Sequence, residues 1–333
     1  MPSRGSGGTG SDLWVTVPLV PTIGPVHPDE VGAGLFSDVT SVAGTDRFLA
    51  YDKDRRWFDA KAESVLVDDI VHRRHETWFP VLSRRGAGSV TVYVYGIFPD
   101  DHLTARQLAS ELRSTHGAAT ASVVWFIGGE DPSPPRAEVT SIQLQAFISE
   151  GRAAVAEVHR LDECADAVEA TFVSFVRELA DEGFAFLHSR MAGSGVGPVL
   201  VAVDEHRIVG AIGPMDIMSD SNGEARLLPQ YFGVLPGWRG RGYGRALWRA
   251  AMQWGQGNGA AYHLLQTEVG GASEHICRTE GSRSLGLVCR MTVGAPHCER
   301  HEHTPEGDVA MTGTRRKFRD PPCMGHAKLS GWS

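Results

Sequence analysis

The stretch Gln230–Gln256, QYFGVLPGWRGRGYGRALWRAAMQWGQ, constrains this chain more than any other part of it. It divides into an apolar strand-like run ending at Val234, a Gly/Arg loop from Gly237 to Gly244, and an amphipathic helix from about Arg245 onward. Gly240, Gly242 and Gly244 let the backbone turn sharply and expose N–H groups without Cβ obstruction, just where a helix begins and its first amides lack partners. Arg239, Arg241, Arg245 and Arg249 lie in the loop and the first turns, and the segment contains no carboxylate. Backbone dipole and side-chain charge therefore both favour a phosphate group there.

The neighbouring residues narrow the phosphate ligand. The nucleoside-triphosphate pattern G-x-x-x-x-G-K-[ST] is absent, and the glycines run G-x-G-x-G rather than the dinucleotide G-x-G-x-x-G. The segment reads instead as V-x-P-x-x-R-G-x-G-x-G-x-A-L, on Val234, Pro236, Arg239, Gly240, Gly242, Gly244, Ala246 and Leu247. This resembles the acetyl-CoA pyrophosphate loop of the GNAT N-acetyltransferase superfamily, whose signature is [RQ]-x-x-G-x-[GA] between a strand and a helix. The resemblance implies acetyl-CoA as co-substrate and an α/β (α+β) GNAT fold, with a mixed, mostly antiparallel central sheet and flanking helices. It also implies that the strand before the loop splays from its neighbour. Carried over by position, Phe232 and Val234 then grip the pantetheine and supply an oxyanion amide. The backbone from Arg239 through Gly240, Arg241, Gly242, Tyr243 and Gly244 to Arg245 takes the pyrophosphate.

The catalytic residues match the family less well. The glutamate that some members place on this strand falls on Leu228, which cannot accept a proton. Glu268, at the end of the following strand, ranks first among the other carboxylates, ahead of Glu224 and Asp216. The tyrosine that protonates the leaving thiolate in many members falls on Cys277 in one register and on Ser282 in another, so Cys277 is the candidate acid, against a buried structural cysteine as the plain alternative. An Asn common in the family falls on Gly270 or Gly271.

Composition sets the outer bounds. With 333 residues, 42% of them hydrophobic, the chain can fill two ordinary cores. A formal charge of −8 argues against a general nucleic-acid binder, although GRGYGR alone would pass for an RNA-binding Gly/Arg patch. The first residues, MPSRGSGGTGS, contain no apolar core of a secretion signal, and no apolar run reaches the roughly eighteen residues of a membrane span. A cytoplasmic protein is expected, with no membrane or nucleic-acid partner. Cys164, Cys277, Cys289, Cys298 and Cys323 show no C-x-x-C spacing, so reduced thiols are expected. His297, Cys298, His301 and His303 have ligand-like spacing, but they lie in a stretch without hydrophobic period, and no metal site is expected.

Along the chain, residues 1–12 read as a disordered N-terminus, 13–128 as an α+β domain, 129–137 as a Pro-rich linker, 138–293 as the GNAT domain and 294–333 as a disordered tail. In the first domain, TWFPVL and SVTVYVYGIF flank RRGAG as a hairpin. A helix capped by Thr104 and Gln107 follows, with Ala105, Leu108, Ala109 and Leu112 on one face, and then a strand at Ala121–Ile127. In the second domain come strands at TSIQLQAF and AAVAEVHRL, a helix from about Asp162, a hairpin around Asp204-Glu205-His206, a third meander strand over Arg226–Val234, and a strand at Tyr262–Val269. Strand, helix and strand recur at a nearly constant offset of about 140 residues, so two alternatives stand for the first half: a degenerate GNAT-like repeat or an unrelated α+β domain. Pro99–Thr104, at the position of the glycine loop, has no glycine and carries Asp100 and Asp101, which predicts one cofactor per chain. The expected activity is acetyl transfer to a primary amine of a small molecule or protein. A catalytically silent acetyl-CoA-binding module and a Gly/Arg-loop RNA-binding protein are the alternatives.

Overall fold

A computed structural model of the chain describes residues 15–96, 102–128, 137–147, 158–192 and 196–294. The tail with its His/Cys cluster, residues Pro99–Asp101 and most of the Pro-rich stretch lie outside the described residues.

The chain opens with a short ribbon, β1 (Leu19–Val20) and β2 (Gly24–Pro25), and helix α1 (Ala33–Ser41), which buries Leu35, Phe36 and Val39. β3 (Glu63–Val65) and β4 (Val71–His72) then pair with β5 (Glu76–Ser83). The hairpin read from the alternating sequence forms: β5 pairs antiparallel with β6 (Ser89–Gly96), closing at Ser83↔Ser89. Helix α2 (His102–Thr115) crosses over to β7 (Thr120–Ile127), parallel to β6. Its inward face is the one expected, with Ala105, Ala109 and Leu112 buried. The helix begins before Thr104, which is therefore an interior residue and not the N-cap.

The second half starts with β8 (Glu138–Ala146) and β9 (Val158–Arg160). The helix expected from Asp162 is broken into α3 (Asp166–Glu169) and α4 (Phe172–Glu178), because Thr171 at the junction accepts Ile208 N–H on its hydroxyl and donates that hydroxyl to Val168 C=O. α5 (Phe184–Met191) follows, burying Phe184 and Leu187. The meander is β10 (Leu200–Asp204), β11 (Arg207–Gly213), β12 (Ile217–Ser219), β13 (Ala225–Leu227) and β14 (Tyr231–Val234). Glu205 and His206, at φ 45° and 61°, make the tight turn between β10 and β11. After the glycine loop come α6 (Tyr243–Gly257), β15 (Tyr262–Glu268), α7 (Ala272–Thr279) and β16 (Arg283–Val293).

These strands form a mixed α+β architecture with two principal sheets. The larger runs β12-β13-β15-β8-β16-β7-β6-β5-β3, and the smaller β14-β11-β10-β9. β8 pairs with β15 and β16, while β16 pairs with β8 and, across to the first half, with β7. One continuous sheet therefore joins the halves. Both faces are covered, by α2 over Val92, Val123 and Trp125, and by the N-terminal segment over Phe79, Val81, Tyr95 and Phe126.

Candidate active site

The third meander strand is not continuous. Residues 225–227 pair parallel with β15, at Arg226↔Tyr262 and Leu227↔His263, whereas residues 231–234 pair with β11 in the other sheet. Pro229 stands in the break; it brings no N–H to a ladder. Beyond Leu227 the chain leaves β15, and β14 and β15 lie in different sheets.

The register tells which way the backbone of β14 faces. Leu235 N–H donates to Val209 C=O at 2.8 Å, so Gly210↔Val234 is a non-hydrogen-bonded pair, and by alternation so is Ile212↔Phe232. Phe232 and Val234 therefore turn their N–H and C=O groups away from β11. Their side chains pack under α6 with Leu247 and Trp248, while Tyr231 and Gly233 face α5.

The glycine loop follows β14 directly and leads into α6. Gly240 and Gly242 sit at φ 76° and 93°, conformations that favour glycine, and a Cβ on either would meet nothing within 4 Å. Ala246 N–H bonds to Gly242 C=O at 3.0 Å; the amides before it in the first turn have no carbonyl four residues back to use. A Cβ on Gly244 would stand 3.4 Å from Phe232 and 3.5 Å from Ile276. The open space beside the loop and the amides that border it fit a diphosphate.

The loop arginines are not the uncompensated cluster that the local sequence suggests. Arg239 donates its Nε to Val234 C=O at 3.0 Å and pairs with Glu182 at 3.1 Å, so its guanidinium ties the loop to β14. Glu280, only 5% exposed, accepts from Arg249 in a two-pronged bond of 2.8 and 3.0 Å and pairs with Arg245 at 3.2 Å. Asp204 accepts from Trp238 Nε1 at 2.9 Å and lies 3.9 Å from Arg241. Attraction for an anion therefore rests chiefly on the backbone amides. Arg241 and Arg245, roughly half exposed, remain at the loop surface.

The catalytic candidates separate. Glu268 is exposed at the end of β15, five residues past the last β13–β15 pair. Cys277 is fully buried beneath α6 with Ile276 and Leu247, and burial pushes its thiol up to about 12. Leu228 is likewise fully buried, and Glu224 sits in an exposed turn on the far side of β13. Sequence reasoning missed Glu182, 57 residues from its partner Arg239, because no local spacing signals it; burial raises its carboxyl and Arg239 opposes that. Among the described residues no group of three or more His, Cys, Asp or Glu side chains is arranged to hold a metal ion, and no helix is long and apolar enough to cross a membrane.

Residues 195–276, from ahead of β10 into α7, match the sequence model of the acetyltransferase (GNAT) domain. No curated protein matches the chain. Solved structures that resemble it include a GCN5-related N-acetyltransferase from Sphaerobacter thermophilus, 14% identical over 76% of this chain and 93% of that one with a TM-score of 0.44. A tandem GNAT protein from the clavulanic acid biosynthesis pathway is 14% identical over 81% and 97%, TM-score 0.41. A GCN5-related N-acetyltransferase from Kribbella flavida is 12% identical over 69% and 90%, TM-score 0.41. Residues 195–276 of this chain carry the acetyltransferase (GNAT) domain.

Proposed function

We propose that the protein is an acetyl-CoA-dependent N-acetyltransferase that acts on a primary amine and binds one acetyl-CoA in the gap between β14 and β15. The observation that carries this reading is the edge of β14: Phe232 and Val234 turn their backbone N–H groups away from β11, on a strand that leads straight into the Gly240–Arg245 amides. The amides of Gly240 to Arg245 hold the diphosphate, and the β14 edge takes the pantetheine as a further strand would. Arg239 shares Val234 C=O with that edge and keeps the loop at the right height above it. Acetyl-CoA supplies an activated acyl thioester. Phe232 N–H is the oxyanion donor, a fixed dipole already aimed into the gap.

The buried Leu228 and Cys277 favour one other reading, a silent module that binds acetyl-CoA without turnover. Release of free thiol from acetyl-CoA across an amine panel, with calorimetric binding of CoA alongside, separates the two. Amine-dependent thiol release is expected; binding without release selects the silent module, and absence of binding removes both.

A further inference from the structure

The break between β13 and β14 is held partly by the other half of the chain. Leu228 N–H donates to Asp216 C=O at 2.9 Å, and Leu228 C=O accepts from the Gln230 amide. Pro229 C=O accepts from Arg56 Nη2 at 2.7 Å, across 173 residues of sequence. The Arg56 side chain is 8% exposed, and its Nη1 stands 4.0 Å from Asp216 Oδ2. Trp57, next to it, packs into the second half's core; its ring lies 5.5 Å from Phe186, which lies 6.2 Å from Tyr231. Arg56, Trp57 and Asp216 thus meet on the Tyr231 side of β14, opposite α6.

The position of this cluster along the gap matters. The diphosphate end is fixed at the loop and the thioester carbonyl at Phe232 N–H, so the acceptor amine enters between Phe232 and the break; Pro229 lies three residues back, about 10 Å at strand rise. An amine approaching the thioester has to come from the side that α6 does not cover. Asp216 stands on that side with its side chain 40% exposed, whereas Glu182 is committed to Arg239 nearer the loop.

We propose that the first half completes the active centre of the second: Asp216 takes the proton from the acceptor ammonium, and Arg56 is the positioning residue that holds Asp216 and the strand break together. The proposal rests on the acetyl-transfer reading above. In the step, Asp216 accepts one proton from the ammonium and the freed nitrogen pair forms the C–N bond to the acyl carbon. The C–S bond breaks with its electron pair on sulfur, and the second proton of the nitrogen goes to that sulfur. The charged and titratable groups around Asp216 are Arg56 beside it and Asp54, Arg226 and Tyr231 around Arg56.

The test uses the full chain, with CoA binding by calorimetry and thiol release from acetyl-CoA with two probes. Ethanolamine is protonated at neutral pH and needs a base; hydroxylamine is largely uncharged and does not. Asp216→Asn is expected to bind CoA as the wild type does, lose about a hundredfold in rate with ethanolamine, lose the rising limb of that pH profile, and keep its rate with hydroxylamine. Arg56→Ala is expected to lower kcat with ethanolamine about tenfold with little change in KM, and Arg56→Lys, which keeps a donor for Pro229 C=O, to recover part of it. An Asp216→Asn rate within twofold of wild type, an equal loss with both probes, or the hundredfold loss appearing in Glu268→Gln instead overturns the proposal. If Arg56→Ala fails to fold, an Arg56→Lys enzyme with wild-type kcat and pH profile overturns Arg56's part. Wild-type protein that binds CoA and releases thiol with neither probe refutes the acetyl-transfer reading itself, and this proposal with it.

Discussion

The two halves share an order of elements and differ in how the strands beneath the crossover helix pair. β5, β6, α2 and β7 in the first half follow the order of β11, β14, α6 and β15 in the second, each time an antiparallel pair, a crossover helix and a further strand. In the first half the strands flanking the helix are bonded to each other over five register pairs, Ser89↔Thr120 to Tyr93↔Val124. In the second, β14 and β15 lie in different sheets, and only the stub β13 pairs with β15, twice. Where β6 and β7 do part, the chain's own N-terminal segment covers them. Val17 is fully buried, a Cβ on Gly286 would stand 2.6 Å from it, and Tyr95 donates its hydroxyl to Leu19 C=O at 2.8 Å. A crossover helix with a free N-terminus is therefore not enough for a ligand site. In the proposed site the strands beneath the helix stay apart, and on the β14 edge the Phe232 and Val234 N–H groups face away from β11 while Val234 C=O accepts from Arg239 Nε.

The largest expected effect comes from closing the second half's site. Gly242→Asp forces a side chain onto φ 93° and sets a carboxylate where the phosphates arrive, so CoA affinity should fall at least a hundredfold, about 2.7 kcal/mol, with an unchanged far-ultraviolet spectrum. Wild-type affinity would remove the loop from the site.

A smaller effect distinguishes the two crossover strands by pH. His263 on β15 is fully buried against Trp248, with no hydrogen-bond partner for either ring nitrogen, and burial pushes its imidazole down from 6.5 to about 3. The unfolded chain takes up a proton near pH 6.5 and the folded chain not until about 3, so stability should fall by about 1.4 kcal/mol per pH unit as the pH drops through that window. The start of β7, Thr120-Ala121-Ser122-Val123, has no such group. Denaturant unfolding of His263→Leu between pH 6 and pH 4 should lose this slope. A slope equal to wild type would place the acid sensitivity elsewhere.

The smallest concerns the cover on the first half. Tyr95→Phe removes one buried hydrogen bond and should cost about 1 kcal/mol of stability, leaving Leu19 C=O without that donor, while CoA affinity stays as it was. A gain in bound CoA would mean that the cover alone had been blocking a second site.

What was legible in the sequence was local. The hairpin around Arg84–Gly88, the turn at Glu205-His206 and the strand–loop–helix unit each carry their signal within a dozen residues, in alternation, turn residues and glycine placement. The direction of Phe232 and Val234 came only through the family resemblance; the register shows their backbone N–H groups turned away from β11. Long-range partners left no trace. The loop looked free of acids because Glu182, Asp204 and Glu280 arrive from 57, 34 and 31 residues away. The pairing of β16 with β7 across the halves depends on which edges find each other in space, and Arg56 reaches the strand break from a segment with no periodic signal at all. Thr104 was mistaken for a cap because a capping-box pattern also fits inside a helix that begins earlier.

Calorimetric titration of the full chain with CoA tests most directly whether one half binds and the other does not. The paired strands and covered edge of the first half, against the open edge and glycine loop of the second, predict one CoA per chain, with Gly242→Asp reducing that to none. Two CoA per chain, or one that survives in Gly242→Asp, would contradict the account.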